Sequence, residues 1–131
     1  MVDRERLDEF VRGHCWAVVG ASADRSKFGN ITFRELKRRG KQVYPVNPKA
    51  TEVEGEACYP SLAALPEPVE RVLIVVPPKQ GVNVVKEAAE AGISKVWFQP
   101  GAESDAALAY CEAHGIDAIA GHCILRTPER G

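Results

Sequence analysis

The stretch Arg71-Val72-Leu73-Ile74-Val75-Val76 constrains this chain more than any other. It is continuously apolar and mostly β-branched, without the polar alternation of a strand that faces water on one side. Such a run reads as a strand covered on both faces. It therefore needs helices above and below it, and the chain supplies them in turn. Similar runs at Cys15–Gly20, Gln42–Val46, Lys95–Phe98 and Ile116–Ala120 are separated by helical patterns. One helix is expected from about Asn30 to Arg39, with Phe33 and Leu36 inward. A second follows Pro77-Pro78 and reaches about Ala91, with Val82, Val85 and Ala89 at helical spacing. A third is capped by Ser104 and reaches about His114. A helix over Asp3 to about Arg12, with Asp3 as N-cap and Leu7, Phe10 and Val11 on one face, precedes the first strand. Pro45 is awkward inside a strand, so the second strand is expected to end there. A short extended piece is expected around Glu56–Tyr59, and a short helix capped by Ser61 through Leu65. The segment from Gly121 onward carries weak structure signals. Strand–helix alternation of this kind predicts a parallel sheet with right-handed crossovers. The fold class is α/β: a Rossmann-like, doubly wound, five-stranded parallel sheet in three α/β/α layers.

The length of 131 residues suits a single domain spanning 1–131, and an apolar fraction of 45% argues against disorder. With 17 basic against 18 acidic residues the net charge is −1, which gives no electrostatic case for nucleic acid. No run approaches a membrane span, and the charged start Met1–Arg6 is unlike a signal peptide. Cys15, Cys58, Cys111 and Cys123 show no C-x-x-C spacing, so neither zinc nor a disulfide scaffold is expected. The chain reads as reduced and cytoplasmic, with cysteines that are mainly small buried hydrophobes.

Open parallel sheets bind ligands beyond the carboxyl ends of their strands, where strand order reverses. That rule nominates three loops. After the first strand, Gly20-Ala21-Ser22 begins like a dinucleotide fingerprint and then departs from it. Ser22 replaces the second glycine, and Gly29 comes too late for G-x-G-x-x-G. Backbone N–H groups and a helix N-terminus can still meet an anion there, aided by the Ser22 hydroxyl and the charges of Arg25 and Lys27. The alternative is that Gly20 and Gly29 only relieve strand-to-helix packing. After the second strand, Val46-Asn47-Pro48-Lys49 lacks the acid that would hold an NAD ribose. Lys49 favours a phosphate instead, or is a solvated lysine in a proline turn. After the third, Val76-Pro77-Pro78 offers a rigid apolar wall, or a simple helix-start connector.

Together these loops resemble the small stand-alone coenzyme A-binding proteins, which are similar to the N-terminal CoA-binding domain of the succinyl-CoA synthetase α subunit. The resemblance rests on Val18–Ser22, Lys27–Asn30, Val43–Pro48, Gly55, Tyr59–Leu62, Val76–Pro78, Val96–Gly101 and Cys123, and covers about residues 10–126. It implies a domain that holds CoA through its nucleotide. Gly20, Ala21 and Ser22 would approach the diphosphate with Lys27 nearby. Val46, Asn47, Pro48 and Lys49 would line the adenosine part. Val76, Pro77 and Pro78 would bound the base or the pantetheine path. CoA carries a ribose 3′-phosphate, which suits Lys49. Relatives often carry Asp-Arg before the cysteine, whereas this chain has Gly121-His122-Cys123.

Among His14, His114 and His122, only His122 lies at the ligand edge, beside Cys123. Adjacent residues seldom face each other and no third orienting group is evident, so no catalytic residue is assigned. A milder chemistry is a mixed disulfide between Cys123 and the CoA thiol. Trp16, Trp97, Phe98 and Phe33 fit core packing better than a stacking platform, and Lys37-Arg38-Arg39 fits a solvated helix end. The leading expectation is a CoA- or acyl-CoA-binding module without self-sufficient catalysis. The alternatives are an NAD(P)-linked oxidoreductase, a CoA-transferring subunit needing a partner, and a nucleotide-sensing regulatory domain. A protein partner and the oligomeric state stay open.

Overall fold

The computed structural model describes residues 3–129. The main sheet contains five parallel strands: β1 (Cys15–Val19), β2 (Gln42–Val46), β5 (Arg71–Ile74), β6 (Lys95–Phe98) and β7 (Asp117–Ile119), in the order β2-β1-β5-β6-β7. A small antiparallel pair, β3 (Glu52–Val53) and β4 (Glu56–Ala57), lies between β2 and β5 in sequence. Four helices complete the fold: α1 (Arg4–Val11), α2 (Phe28–Arg38), α3 (Pro78–Glu90) and α4 (Asp105–Ala113).

Side chains alternate across the sheet with period two, which builds two cores. Trp16, Val18, Leu73, Trp97 and Ile119 face α1 and α2, where they meet Phe10, Phe33 and Leu36. Ala17, Val72, Ile74, Val96 and Phe98 face the other way, toward Val85 and Ala88 of α3 and Ala107 and Cys111 of α4. The expected three layers and doubly wound sheet are thus present. Trp16, Trp97, Phe98 and Phe33 are core residues, each no more than 1% exposed.

Several local expectations need correction. β2 runs through Pro45 to Val46, because it is the edge strand beside β1. Pro45 keeps its carbonyl, which accepts the Tyr59 N–H at 3.0 Å, and its missing N–H deprives β1 of nothing. The piece expected over 56–59 is instead a hairpin, turned by Glu54 (φ 50°) and Gly55 (φ 79°). The helix expected through Leu65 is one 3-10 turn, Leu62–Ala64, and the Ser61 side chain does not cap it. Regular pairing of β5 stops at Ile74, so Val75 and Val76 leave the sheet as a loop. α2 starts earlier than expected, at Phe28, and the inward stripe of α3 is Gly81, Val85 and Ala88. The weakly patterned segment after Gly121 forms a 3-10 turn, Ile124–Arg126, anchored by buried Ile124. Asp3 and Ser104 cap α1 and α4 as expected, accepting from Arg6 N and Ala107 N.

Candidate functional site

Strand order reverses between β1 and β5, so the chain leaves these neighbours in opposite directions. Two helices begin there: α2 after β1, and α3 after β5. Neither has a side-chain cap, since Lys27 and Pro77 stand at the capping positions. α1 and α4, by contrast, are capped by a carboxylate and a hydroxyl. A helix start without a cap leaves backbone N–H donors for water or for an anion.

The β1–α2 loop is held close to the sheet. Gly20 has φ 102°, a conformation open to glycine, and an added Cβ would lie 2.3 Å from the Val75 carbonyl oxygen. A Cβ on Gly29 would lie 1.9 Å from the Gly20 carbonyl oxygen. Gly29 therefore lets α2 pack against the end of β1, although it misses the fingerprint spacing. Two asparagines fix the loop carbonyls. Asn47 donates to Ala21 O at 2.8 Å, and Asn30 donates to Ser22 O at 2.8 Å. Asn30 is fully buried and bound at its other positions too, donating to Glu54 and accepting from Arg34 Nε at 2.6 Å. With the carbonyls turned to asparagines, no acceptor among the described residues meets the N–H groups of Ser22 and Ala23. Ser22 Oγ accepts the Asp24 N–H at 3.0 Å, which leaves its hydroxyl hydrogen to donate.

A cleft of about 500 Å³ opens over these strand ends. Gly20, Val46, Asn47, Pro48, Lys49, Val76 and Pro77 line it, joining residues from all three nominated loops. Its far wall is a polar stripe of α3 absent from the sequence-based set: Gln80, Asn83 and Glu87. Their spacing of three and four is one helix face, the signal that could have found them. Glu87 is already engaged, accepting the Leu62 N–H at 2.8 Å. Ala21, Ser22, Arg25, Lys27 and Pro78 do not line this cleft. Arg25 pairs with Glu54 at 3.4 Å, and of Arg25, Lys27 and Lys49 only Lys49 lines this cleft.

A second cleft, of about 620 Å³, shares Val75, Val76 and Pro77 with the first and opens on the α2 side. Cys123 lies there, half-buried. Its thiol receives a hydrogen bond from Gln99 Nε2 at 3.4 Å. His122 turns its backbone carbonyl to Trp97 Nε1 at 2.9 Å. The hydrogen-bonding partner of the Cys123 thiol is thus Gln99, not His122. The other cysteines are set apart from it. Cys111 sits in the core, where burial pushes its thiol up to about 11. Burial also raises Cys15 and Cys58. Among the described residues no cluster of three or more metal-ligating side chains occurs, and no helix is long and apolar enough to cross a membrane.

Residues 14–127 match the family profile described as CoA binding domain. The acetate–CoA ligase [ADP-forming] II subunit alpha of Pyrococcus furiosus is 40% identical over 91 residues, 69% of this chain and 20% of that relative. A solved structure of a conserved hypothetical protein from Pyrococcus furiosus superposes with a TM-score of 0.82 at 46% identity, covering 86% of this chain and 97% of the other. A dinucleotide-forming acetyl-coenzyme A synthetase 1 from Ca. Korarchaeum cryptofilum, in complex with phosphate and ADP, superposes with a TM-score of 0.72 at 32% identity. That match covers 90% of this chain and 27% of the synthetase. The chain spans between 10% and 20% of the length of the first curated relatives it matches.

Proposed function

The chain belongs to the CoA-binding domain family, and from that premise we propose that it binds coenzyme A or an acyl-CoA through its nucleotide, at the reversal point between β1 and β5. The observation that carries this reading is the pairing of uncapped α2 and α3 starts with a lysine-bearing cleft. The diphosphate lies along Gly20, Ala21 and Ser22 at the α2 start and takes the N–H groups of Ser22 and Ala23, with Lys27 on the outer rim supplying positive charge. Val46, Asn47 and Pro48 bound the adenosine, and Lys49 meets the ribose 3′-phosphate. Val76, Pro77 and Pro78 form the wall past which the pantetheine arm leaves toward Cys123.

The residues after β2 favour CoA over NAD. A ribose with both hydroxyls free wants a carboxylate there, and this position offers Asn47, Pro48 and Lys49. The module binds without completing a reaction by itself. Among the described residues the side chain hydrogen-bonded to the Cys123 thiol is the amide of Gln99, which is no general base. Any acyl or phosphoryl transfer therefore requires groups from a partner chain or domain. The subunit status of the Pyrococcus furiosus ligase relative supports such a partner.

The test is thermal stability and calorimetric titration with CoA, dephospho-CoA, NAD and NADP side by side. A ligand selective for the native state raises stability by about 2.7 kcal/mol at a hundred times its Kd. CoA is expected to give the largest rise. Lys49→Ala is expected to weaken CoA about fivefold, the worth of one exposed charge pair at ~1 kcal/mol, while leaving dephospho-CoA unchanged. A larger response to NAD than to CoA overturns the reading.

A further inference from the structure

The second cleft runs from Phe28 at the α2 start past Val75, Val76 and Pro77 to Cys123, and its walls differ from those of the first. Phe28, Val76, Pro77, Pro100, Ala102 and Leu125 make it mainly apolar. Phe28 is 61% exposed at its mouth, the one large hydrophobic side chain standing out in water among the described residues. The polar groups on the floor are satisfied from within. Gln99 is 5% exposed; its Oε1 accepts the Ile124 N–H at 2.7 Å, and its Nε2 is directed at the Cys123 thiol. An apolar group lying against this floor leaves the Gln99 side chain paired. The wall is also preformed. Arg39 donates to Ile124 O at 2.9 Å and to Thr127 O at 3.0 Å, which fixes the turn that presents Leu125.

The two clefts meet over Val75, Val76 and Pro77. A ligand whose nucleotide fills the first places its sulfur end at the entrance of the second. Free CoA ends in a small thiol and has little to bury there. We infer that the second cleft receives the acyl chain of a CoA thioester, so that the ligand class is an apolar acyl-CoA rather than free CoA. This rests on the CoA reading above and adds the specificity of its far end. Phe28 closes over the chain, and Leu125 and Pro100 flank it.

The test is a calorimetric series of CoA, acetyl-CoA, butanoyl-CoA and hexanoyl-CoA with the wild type and with Phe28→Ala, whose side chain is outside the core. Burying one methylene is worth up to about fourfold in affinity. Hexanoyl-CoA is therefore expected to bind at least ~10-fold tighter than acetyl-CoA. Phe28→Ala is expected to flatten that rise and to keep free CoA within about twofold. Wild-type affinity that ignores chain length overturns the inference and leaves the CoA reading standing. An equal rise in Phe28→Ala overturns it as well. If no member of the series binds, both fall together. If light scattering shows a dimer that Phe28→Ala dissociates, the apolar face belongs to a second copy of the chain, and the acyl assignment is wrong.

Discussion

The amino and carboxyl ends of the five parallel strands are finished with opposite chemistry. At the amino end, charged side chains close the sheet. Arg71, buried at the start of β5, donates to Phe10 O at 2.7 Å, lies over the Phe10 ring at 5.4 Å and pairs with Glu9 at 3.1 Å. Asp117 at the start of β7 takes Arg6 and Lys95 together. Glu70 accepts the N–H groups of His14 at 3.0 Å and Cys15 at 3.2 Å, and these two bonds hold its carboxyl below the usual range. At the carboxyl end the loops are built from glycine, proline and asparagine. There the asparagines consume loop carbonyls and leave N–H donors facing outward. At one edge the charged side chains are paired within the fold; at the other the N–H groups of Ser22 and Ala23 meet no acceptor among the described residues.

That contrast breaks most visibly at Gly29. Gly29→Ala drives a methyl group into the Gly20 carbonyl, and backbone on both sides must move. A loss of about 3 kcal/mol in urea unfolding is expected, at the upper end for overpacking. The CoA-induced rise in Tm should vanish with it. Retained CoA binding would detach the ligand from the β1–α2 loop.

Arg71→Ala probes the opposite edge. It removes the shorter of two hydrogen bonds to the Phe10 carbonyl, which keeps the Gly13 N–H at 3.3 Å, and is expected to cost about 2 kcal/mol of stability, as for the loss of a buried hydrogen bond to a charged group. The Kd for CoA, measured well below the lowered Tm, should not change. A parallel loss of affinity would mean that the two edges are coupled.

Asp117→Asn is the mildest change. Burial raises the Asp117 pKa, but hydrogen bonds and charge from Arg6 and Lys95 outweigh it and hold the group below 3.8. A carboxylate depressed in the folded state stabilises the fold above its unfolded pKa, and that contribution fades as pH falls through the folded value. The wild type should therefore exceed Asp117→Asn by about 0.5–1 kcal/mol near pH 7, the range for partly exposed pairs. The gap should narrow progressively below pH 3.8, as read from urea midpoints across pH. A constant gap would remove the ionic role.

Much of this architecture is legible in the chain because burial on both faces leaves a plain mark. Val72–Ile74, Trp16–Val19 and Val96–Phe98 are uninterrupted apolar runs, and all become strands between helices. What escapes the sequence depends on partners distant along the chain. Val75 and Val76 share the composition of the strand before them but leave it to line both clefts. Pro45 reads as a strand end until its place on the edge is known. Asn30 stands three residues before Phe33, on the inward helix face. Its value lies in bonds to Ser22 and Glu54 that no spacing rule reveals. Arg25 looks like an anion ligand because the sequence does not show that the hairpin brings Glu54 beside it.

Backbone amide resonances followed while CoA is added report whether the ligand meets the carboxyl edge of the sheet and leaves the amino edge untouched. Saturable shifts are expected at Gly20, Ala21, Ser22, Ala23, Asn47, Lys49, Val75 and Val76, with Gly13, His14, Arg71 and Asp117 unmoved. Shifts centred on the amino-end residues, or none at saturating CoA, would contradict a ligand site at the carboxyl edge.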